Sequence, residues 1–338
     1  MSACLAVITA IAAVDPSPVS AQQRPKRSGY GTSRVAARPD SKEAAAAPVG
    51  RAGEGEQLPA PLTAEERDGN KLVALAAKDV FRQKAIHAKV RQRVFAFGQE
   101  VVGAGEYYQF GSGQPKLLRL DMKMQVGPQA ATLLQVCGRQ DYWIRRHVPP
   151  AIPQMEHVNL TRLASALSRA DDDGKYLATD HWILLGGLSR LIESLHRDFD
   201  FAPPQPARIG TLPVLVVQGR LKPARFQALH PAAKTGGEAT GEQLPTSVNV
   251  TLGRANQMPP HFPHRIEYLR QLSAKELKTA APMDPSKANH PANETILSTL
   301  EFTEVDAPLD LDPHLFEFDP GDEEFEDRTQ TWLRKLQE

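Results

Sequence analysis

Residues Leu117–Val126, LLRLDMKMQV, constrain the fold more tightly than any other stretch of the chain. Leu118, Leu120, Met122, Met124 and Val126 recur at every second position, with Arg119, Asp121, Lys123 and Gln125 between them. Successive side chains of a strand point to opposite faces, so the segment reads as a half-buried strand with one apolar and one wet side. A helix would scatter the same residues around its axis. Weaker copies of the pattern elsewhere predict a curved antiparallel sheet whose concave side is apolar.

The remaining elements follow from local signals. Thr63-Ala-Glu-Glu66 has capping-box spacing, and Leu72, Leu75, Ala76 and Val80 follow at helical intervals, which predicts a helix from Ala64 to about Lys84. Strands are expected at Ala88–Gln99, with Val94 on the apolar side, and at Glu106–Phe110, with Gly103-Ala-Gly105 forming a turn or bulge before the latter. Thr132–Cys137 and Tyr142–Arg146 flank a tight turn, so the pairing there should be antiparallel. The middle is helical: Asn159 can cap Leu160–Leu167, and Leu188, Leu191, Ile192 and Leu195 mark a second helix.

Strands then resume. Leu212–Gln218 is apolar on both faces and should be central. Ser247–Leu252 alternates, with Val248, Val250 and Leu252 set against Ser247, Asn249 and Thr251. His264–Arg270, which carries Ile266, and Ile296–Val305 complete the set, and Arg328–Leu336 suits a short terminal helix. Residues 229–243 and 274–293 read as polar loops, and Asp319–Asp327 as a solvated acidic run.

Composition narrows the function. Lys plus Arg balances Asp plus Glu at 40 each, which argues against a broad nucleic-acid surface, because displacing phosphate counterions needs excess basic side chains. The two cysteines, Cys4 and Cys137, allow no disulfide framework within one mature chain. Residues 3–14 form an apolar run of signal-peptide length ahead of the small residues Val19-Ser20-Ala21, so 1–21 is expected to be a signal peptide and the protein periplasmic. No Lys or Arg precedes that run; if it is not a signal, the chain is cytoplasmic. Residues 22–61 carry almost no large apolar side chains and read as a disordered linker. The domain then spans 62–338, with a helical insertion at about 156–200.

Catalytic signatures are scarce. There is no Gly-x-Ser-x-Gly elbow, no His-Glu-x-x-His pair and no dinucleotide glycine fingerprint. Cys137 reads as a buried structural cysteine. His261 and His264 have H-x-x-H spacing but no evident carboxylate partner, and Asp171–Gly174 lacks the alternating ligands of a calcium loop. Asp310 and Asp312 read as loop residues. No cofactor and no metal are expected. More weight falls on the apolar face: Val94, Leu118, Leu120, Met122, Met124, Val248, Val250, Leu252 and Ile266. These nine line a cavity for an acyl chain or apolar peptide, or else form the core beneath the helices. Methionines suit the first role, because flexible thioethers adapt to irregular guests.

The order of elements resembles the lipoprotein-carrier superfamily, the LolA/LolB-like proteins. The resemblance covers about residues 63–335. It rests on the LRLDMKMQV strand followed by LLQVCGRQDYWIRR, on VNVTLGRANQMPPHFPHRIEYLR, and on ILSTLEFTEV with Phe316-Glu-Phe318-Asp-Pro320 after it. The chain is most similar to the exported, carrier-like proteins of planctomycete-type bacteria. The resemblance implies an α+β fold: an incomplete antiparallel β-barrel, or half-barrel, with helices closing the concave face. It also implies an interior that shelters lipid chains, and hence a lipid or lipidated protein as partner. Two positions depart from the family pattern: Gln114 stands for its arginine, and Cys137 for the aspartate of its Asp-Gly turn. The expected function is therefore a non-enzymatic, exported binding protein for an apolar or lipidated ligand. The alternative is a regulatory or scaffold protein that binds protein partners in the envelope, and an esterase-like enzyme is the third reading.

Overall fold

The computed structural model describes residues 49–50, 62–96, 99–113, 115–126, 129–173, 182–229, 244–272 and 293–337. The expected signal peptide, Gln114 and most of the expected linker and of the two polar loops lie outside these residues.

Fourteen strands form one sheet: β1 Val49–Gly50, β2 Ala85–Ala96, β3 Gln99–Phe110, β4 Leu117–Val126, β5 Gln129–Cys137, β6 Asp141–His147 and β7 Gln154–Asn159, then β8 Phe199–Phe201, β9 Gln205–Ile209, β10 Leu212–Leu221, β11 Ser247–Gly253, β12 Pro263–Gln271, β13 Glu294–Asp306 and β14 Glu326–Asp327. The spatial order is β1-β9-β10-β11-β12-β13-β2-β3-β4-β5-β6-β7-β14, with β8 pairing β10. Every pairing is antiparallel except β7 with β14, and the two ends of the path do not meet among the described residues. The fold is thus α+β with an open, barrel-like sheet. Within the expected linker, Val49 and Gly50 pair with Ile209 and Arg208.

Among the described residues, five helices accompany the sheet: α1 Gly69–Arg82, α2 Leu160–Asp173, α3 Leu188–Asp198, α4 Pro223–Leu229 and α5 Thr329–Gln337. The capping box forms as predicted, with Thr63 N donating to Glu66 at 2.9 Å and Glu66 N donating to Thr63 Oγ1 at 3.1 Å. It closes an isolated turn, however, and α1 starts later than expected. Asp68 is the N-cap and accepts from Lys71 N at 3.2 Å. Gly69 is required there, because a Cβ would overlap the carbonyl oxygen of Ala202.

The predicted turn at Gly103-Ala-Gly105 is instead the middle of β3. Its glycines serve close approach. A Cβ on Gly105 would overlap the carbonyl oxygen of Asp121 on β4, and one on Gly103 would sit 2.8 Å from Met124 Cγ and 2.9 Å from Met122 Cε. The expected helical insertion begins as a strand, β7, in which Met155 and Val158 are both buried but on opposite faces.

The register carries one apolar face across the sheet. Leu120 lies opposite Tyr107, Met122 opposite Leu133, Ile266 opposite Val250 and Leu300, and Val250 opposite Val217. Helices α1 and α3 cover this inner face with Leu72, Val73, Ala76 and Val80, and with Leu188, Leu191, Ile192 and Leu195, all in one core cluster with the sheet residues. The outer face of β11–β13 does not match the expected wet side. Asn249, Thr251, Arg265, Glu267 and Glu301 are all buried. Charges placed there need partners, and Arg265 Nη2 lies 2.6 Å from Glu301 Oε1.

The C-terminal segment runs back over the outer face. Phe316 stacks on Phe110, Phe325 meets Trp143 edge-on, and the Arg145 guanidinium holds Glu323 through two 3.0 Å bonds. The acidic run 319–327 is therefore docked at these points rather than a free tail.

Candidate functional site

The nine predicted residues do share a face, and none is more than 7 % exposed. Eight of them belong to the single core cluster; Val94 is buried on the same face, opposite Val101 and Ser298, but outside the cluster. In this state they form the packed core beneath α1 and α3, the second of the two roles expected for them. Leu118, Val248, Val250, Leu252 and Ile266 expose nothing. The two methionines fill the space left above Gly103, so adaptable side chains occupy a place on the inner face where the sheet has no side chain of its own.

A pair of polar side chains from β3 fastens this cover. Tyr107 and Gln109 are both fully buried. Leu188 N, at the start of α3, donates to the Tyr107 hydroxyl at 3.3 Å, and Gln109 Nε2 donates to Val80 O near the end of α1 at 3.3 Å. Burial pushes the Tyr107 phenol well above its usual range, so the group stays neutral. Lys116 adds a third tie by donating to Gln83 O at 2.9 Å and Gly111 O at 2.8 Å, and burial pulls its ammonium down to about 8.

The sequence reading missed a buried polar cluster that joins Glu66, ahead of α1, to Asp79 in its last turn. His261 Nδ1 lies 2.8 Å from Asp79 Oδ2, and its Nε2 lies 3.7 Å from Glu66 Oε1. Arg254 Nε donates to the same Glu66 oxygen at 3.2 Å. Burial alone would raise the Glu66 pKa, but the Thr63 amide, the Arg254 guanidinium and the Ala255 amide outweigh it and hold the carboxyl below its ordinary value. Contrary to the expectation from sequence, His261 has a carboxylate partner, 182 positions away. The cluster locks α1 to the β11–β12 turn. His264 stands apart from it, with its pKa lowered by burial.

The other candidates fall into structural roles. Cys137 is buried on the inner face, and burial pushes its thiol up to about 12, which removes thiolate reactivity at neutral pH. Asp312 caps a short 3-10 turn at Pro313–Phe316, and Asp310 lies 3.8 Å from Lys84. Asp171–Asp173 fall within α2, and Gly174 lies outside the described residues. Among the described residues, no three His, Cys, Asp or Glu side chains are grouped to hold a metal. A cleft of about 610 Å³ on the outer face of β3 and β4 is lined by Glu106, Tyr108, Arg119 and Asp121. Its polar groups engage one another: Tyr108 bonds Glu106, and Arg119 pairs with Asp121 at 3.5 Å and donates to Leu315 O at 3.1 Å.

No protein-family model and no curated protein matches the chain. Among solved structures it is similar to a DUF1329 family protein from Desulfovibrio piger, at 10% identity over 74% of this chain and 95% of that one, with a TM-score of 0.28. It is likewise similar to a domain from Vibrio parahaemolyticus assigned to outer membrane lipoprotein sorting, at 10% identity over 74% of this chain and 97% of that one, with a TM-score of 0.28. At that TM-score the likenesses carry no argument. The class is defined by the molecule itself, as an open antiparallel sheet with a helical cover over an apolar face. Among the described residues, no helix is long and apolar enough to cross a membrane.

Proposed function

We propose that this protein is a non-enzymatic binding protein of the cell envelope that takes an apolar or lipidated guest between the inner face of its sheet and the cover formed by α1 and α3. The nine inner-face residues named above are the guest's floor. The observation that supports this most directly is Met122 and Met124 seated over Gly103. Swinging two unbranched thioethers aside opens room on the sheet without moving the backbone.

The energetics favour an exchange over an open cavity. Exposing the four large apolar side chains of α3 costs about 6–12 kcal/mol, at about 1.5–3 kcal/mol each. An acyl chain of about twelve carbons returns about 10 kcal/mol, at about 0.8 kcal/mol per buried methylene. The cover therefore stays shut when empty and parts only around a guest that replaces its contacts. The test is native mass spectrometry of the full chain purified from a bacterial envelope. The expected result is co-purified lipid, released on unfolding. Protein free of lipid that also takes up no added acyl chain would overturn the proposal.

A further inference from the structure

Helices α1 and α3 leave a groove of about 590 Å³ along their seam, on the side away from the sheet. Its lining includes the small residues Ala74 and Ala77 of α1 and Ser189 of α3. Phe81, an exposed aromatic ring, forms part of one wall. Lys78, Arg82 and Arg190 bring positive charge to the lining, against the single carboxylate of Glu193, which Arg190 holds at 2.7 Å. Among the described residues, Arg82 pairs with Asp79 at 3.5 Å and is largely exposed.

The groove also contains polar capacity that the protein leaves unused. Ser189 is 3 % exposed, and its hydroxyl has no hydrogen-bond partner among the described residues. A buried hydroxyl without a partner is costly, so its presence at a groove calls for a ligand. It sits in the first turn of α3, where Gly187 provides no side-chain cap and Leu188 N is taken by the Tyr107 hydroxyl. The hydroxyl and the lysine and arginine side chains together suit an anion.

We infer that this groove binds the anionic head of an amphiphile, a phosphate or carboxylate carried on an apolar chain, at the seam through which that chain reaches the sheet. This inference rests on the apolar-guest reading above. The head lies against Lys78, Arg82 and the Ser189 hydroxyl. The first methylenes lie on Phe81 and the alanines.

Calorimetric titration of the full chain with three probes tests this: dodecyl phosphate, dodecyl maltoside and inorganic phosphate, the detergents kept below micelle formation. Dodecyl phosphate should bind about tenfold or more tightly than dodecyl maltoside, as expected for a charge-assisted site. The double variant Lys78→Glu/Arg82→Glu should abolish that preference and leave dodecyl maltoside binding unchanged. Both residues lie on the surface of α1, and an unaltered melting curve confirms the fold. Ser189→Ala removes a hydroxyl that bonds nothing among the described residues and should weaken dodecyl phosphate alone. Equal binding of the two detergents, or dodecyl phosphate affinity indifferent to the double variant, overturns the head-group site and leaves the apolar-guest reading standing. Inorganic phosphate bound as tightly as dodecyl phosphate overturns the amphiphile in favour of a free anion. Lys78-dependent phosphate binding with neither detergent bound overturns the apolar-guest reading as well.

Discussion

Tyr107 donates its hydroxyl hydrogen to Gln109 Oε1 at 3.0 Å, and each of the two reaches a different helix of the cover. Two residues apart on one strand, they point to the same face, so a single hydrogen-bonded pair ties the sheet to α1 and α3 together. Nothing else polar is as deeply placed on the inner face of β3.

Tyr107→Phe keeps the ring and removes the link. Leu188 N–H and the Gln109 carbonyl are left buried without a partner, which costs about 1–3 kcal/mol. Urea unfolding should show that loss. Amide exchange at Leu188 should rise more than exchange in β4. Unchanged protection at Leu188 would mean that α3 is held by its apolar side chains alone.

The face assignment of β4 is open to a paired test. Met122 is 1 % exposed, and Lys123 beside it is exposed. Met122→Asp places an unpaired carboxylate in the core and should destabilise by about 3 kcal/mol or more. Lys123→Asp should stay within about 0.5 kcal/mol. A reversed ranking in thermal unfolding would invert the sheet.

These two residues also show why β4 was legible and other parts were not. One side of β4 is buried against the cover and the other stays partly or fully exposed at each position, so its alternation reaches the sequence undiluted. In β11 all seven residues are buried, because the polar side is also enclosed, and period two then predicts exposure wrongly. In β7 the buried residues Met155 and Val158 face opposite ways, so no period marks the strand ahead of the helix that Asn159 caps. Gly103 and Gly105 signalled a turn because glycine more often marks turns than the close approach of a neighbouring strand. Glu66, Asp79, Arg254 and His261 meet only through tertiary structure, and the separation of the bonded partners by 182 and 188 positions hides the cluster from local patterns. The HxxH spacing at His261 was a true signal, but its partner lay on α1.

The Glu66 cluster makes stability depend on acid. The folded carboxyl titrates below its ordinary value, so the unfolded chain binds the proton more readily. Stability from this group is complete above the ordinary glutamate range of about 4.3 and is lost as pH falls through the lower folded value. Glu66→Gln should flatten the stability profile below about pH 4.3 while lowering stability near neutrality, since it leaves Arg254 facing an uncharged amide. Urea midpoints measured from pH 3 to 7 decide this, and parallel profiles for the two proteins would remove Glu66 from the acid response.

The two β3 glycines should respond differently to the same added methyl. At Gly103 the methyl meets Met124 Cγ at 2.8 Å and Met122 Cε at 2.9 Å, and both belong to unbranched side chains with several rotatable bonds. The methionines can give way, and Gly103→Ala should cost about 1 kcal/mol. At Gly105 the methyl meets the Asp121 carbonyl, part of a backbone paired on both sides, and relief requires β3 and β4 to separate. Gly105→Ala should therefore cost about 4 kcal/mol or more. The contrast also bears on the guest. If an acyl chain displaces the methionines, it lies over Gly103, and Gly103→Ala should weaken dodecyl binding more than it weakens the fold. Equal costs at the two glycines would show the methionines to be rigid core, and the space above Gly103 could then admit no guest.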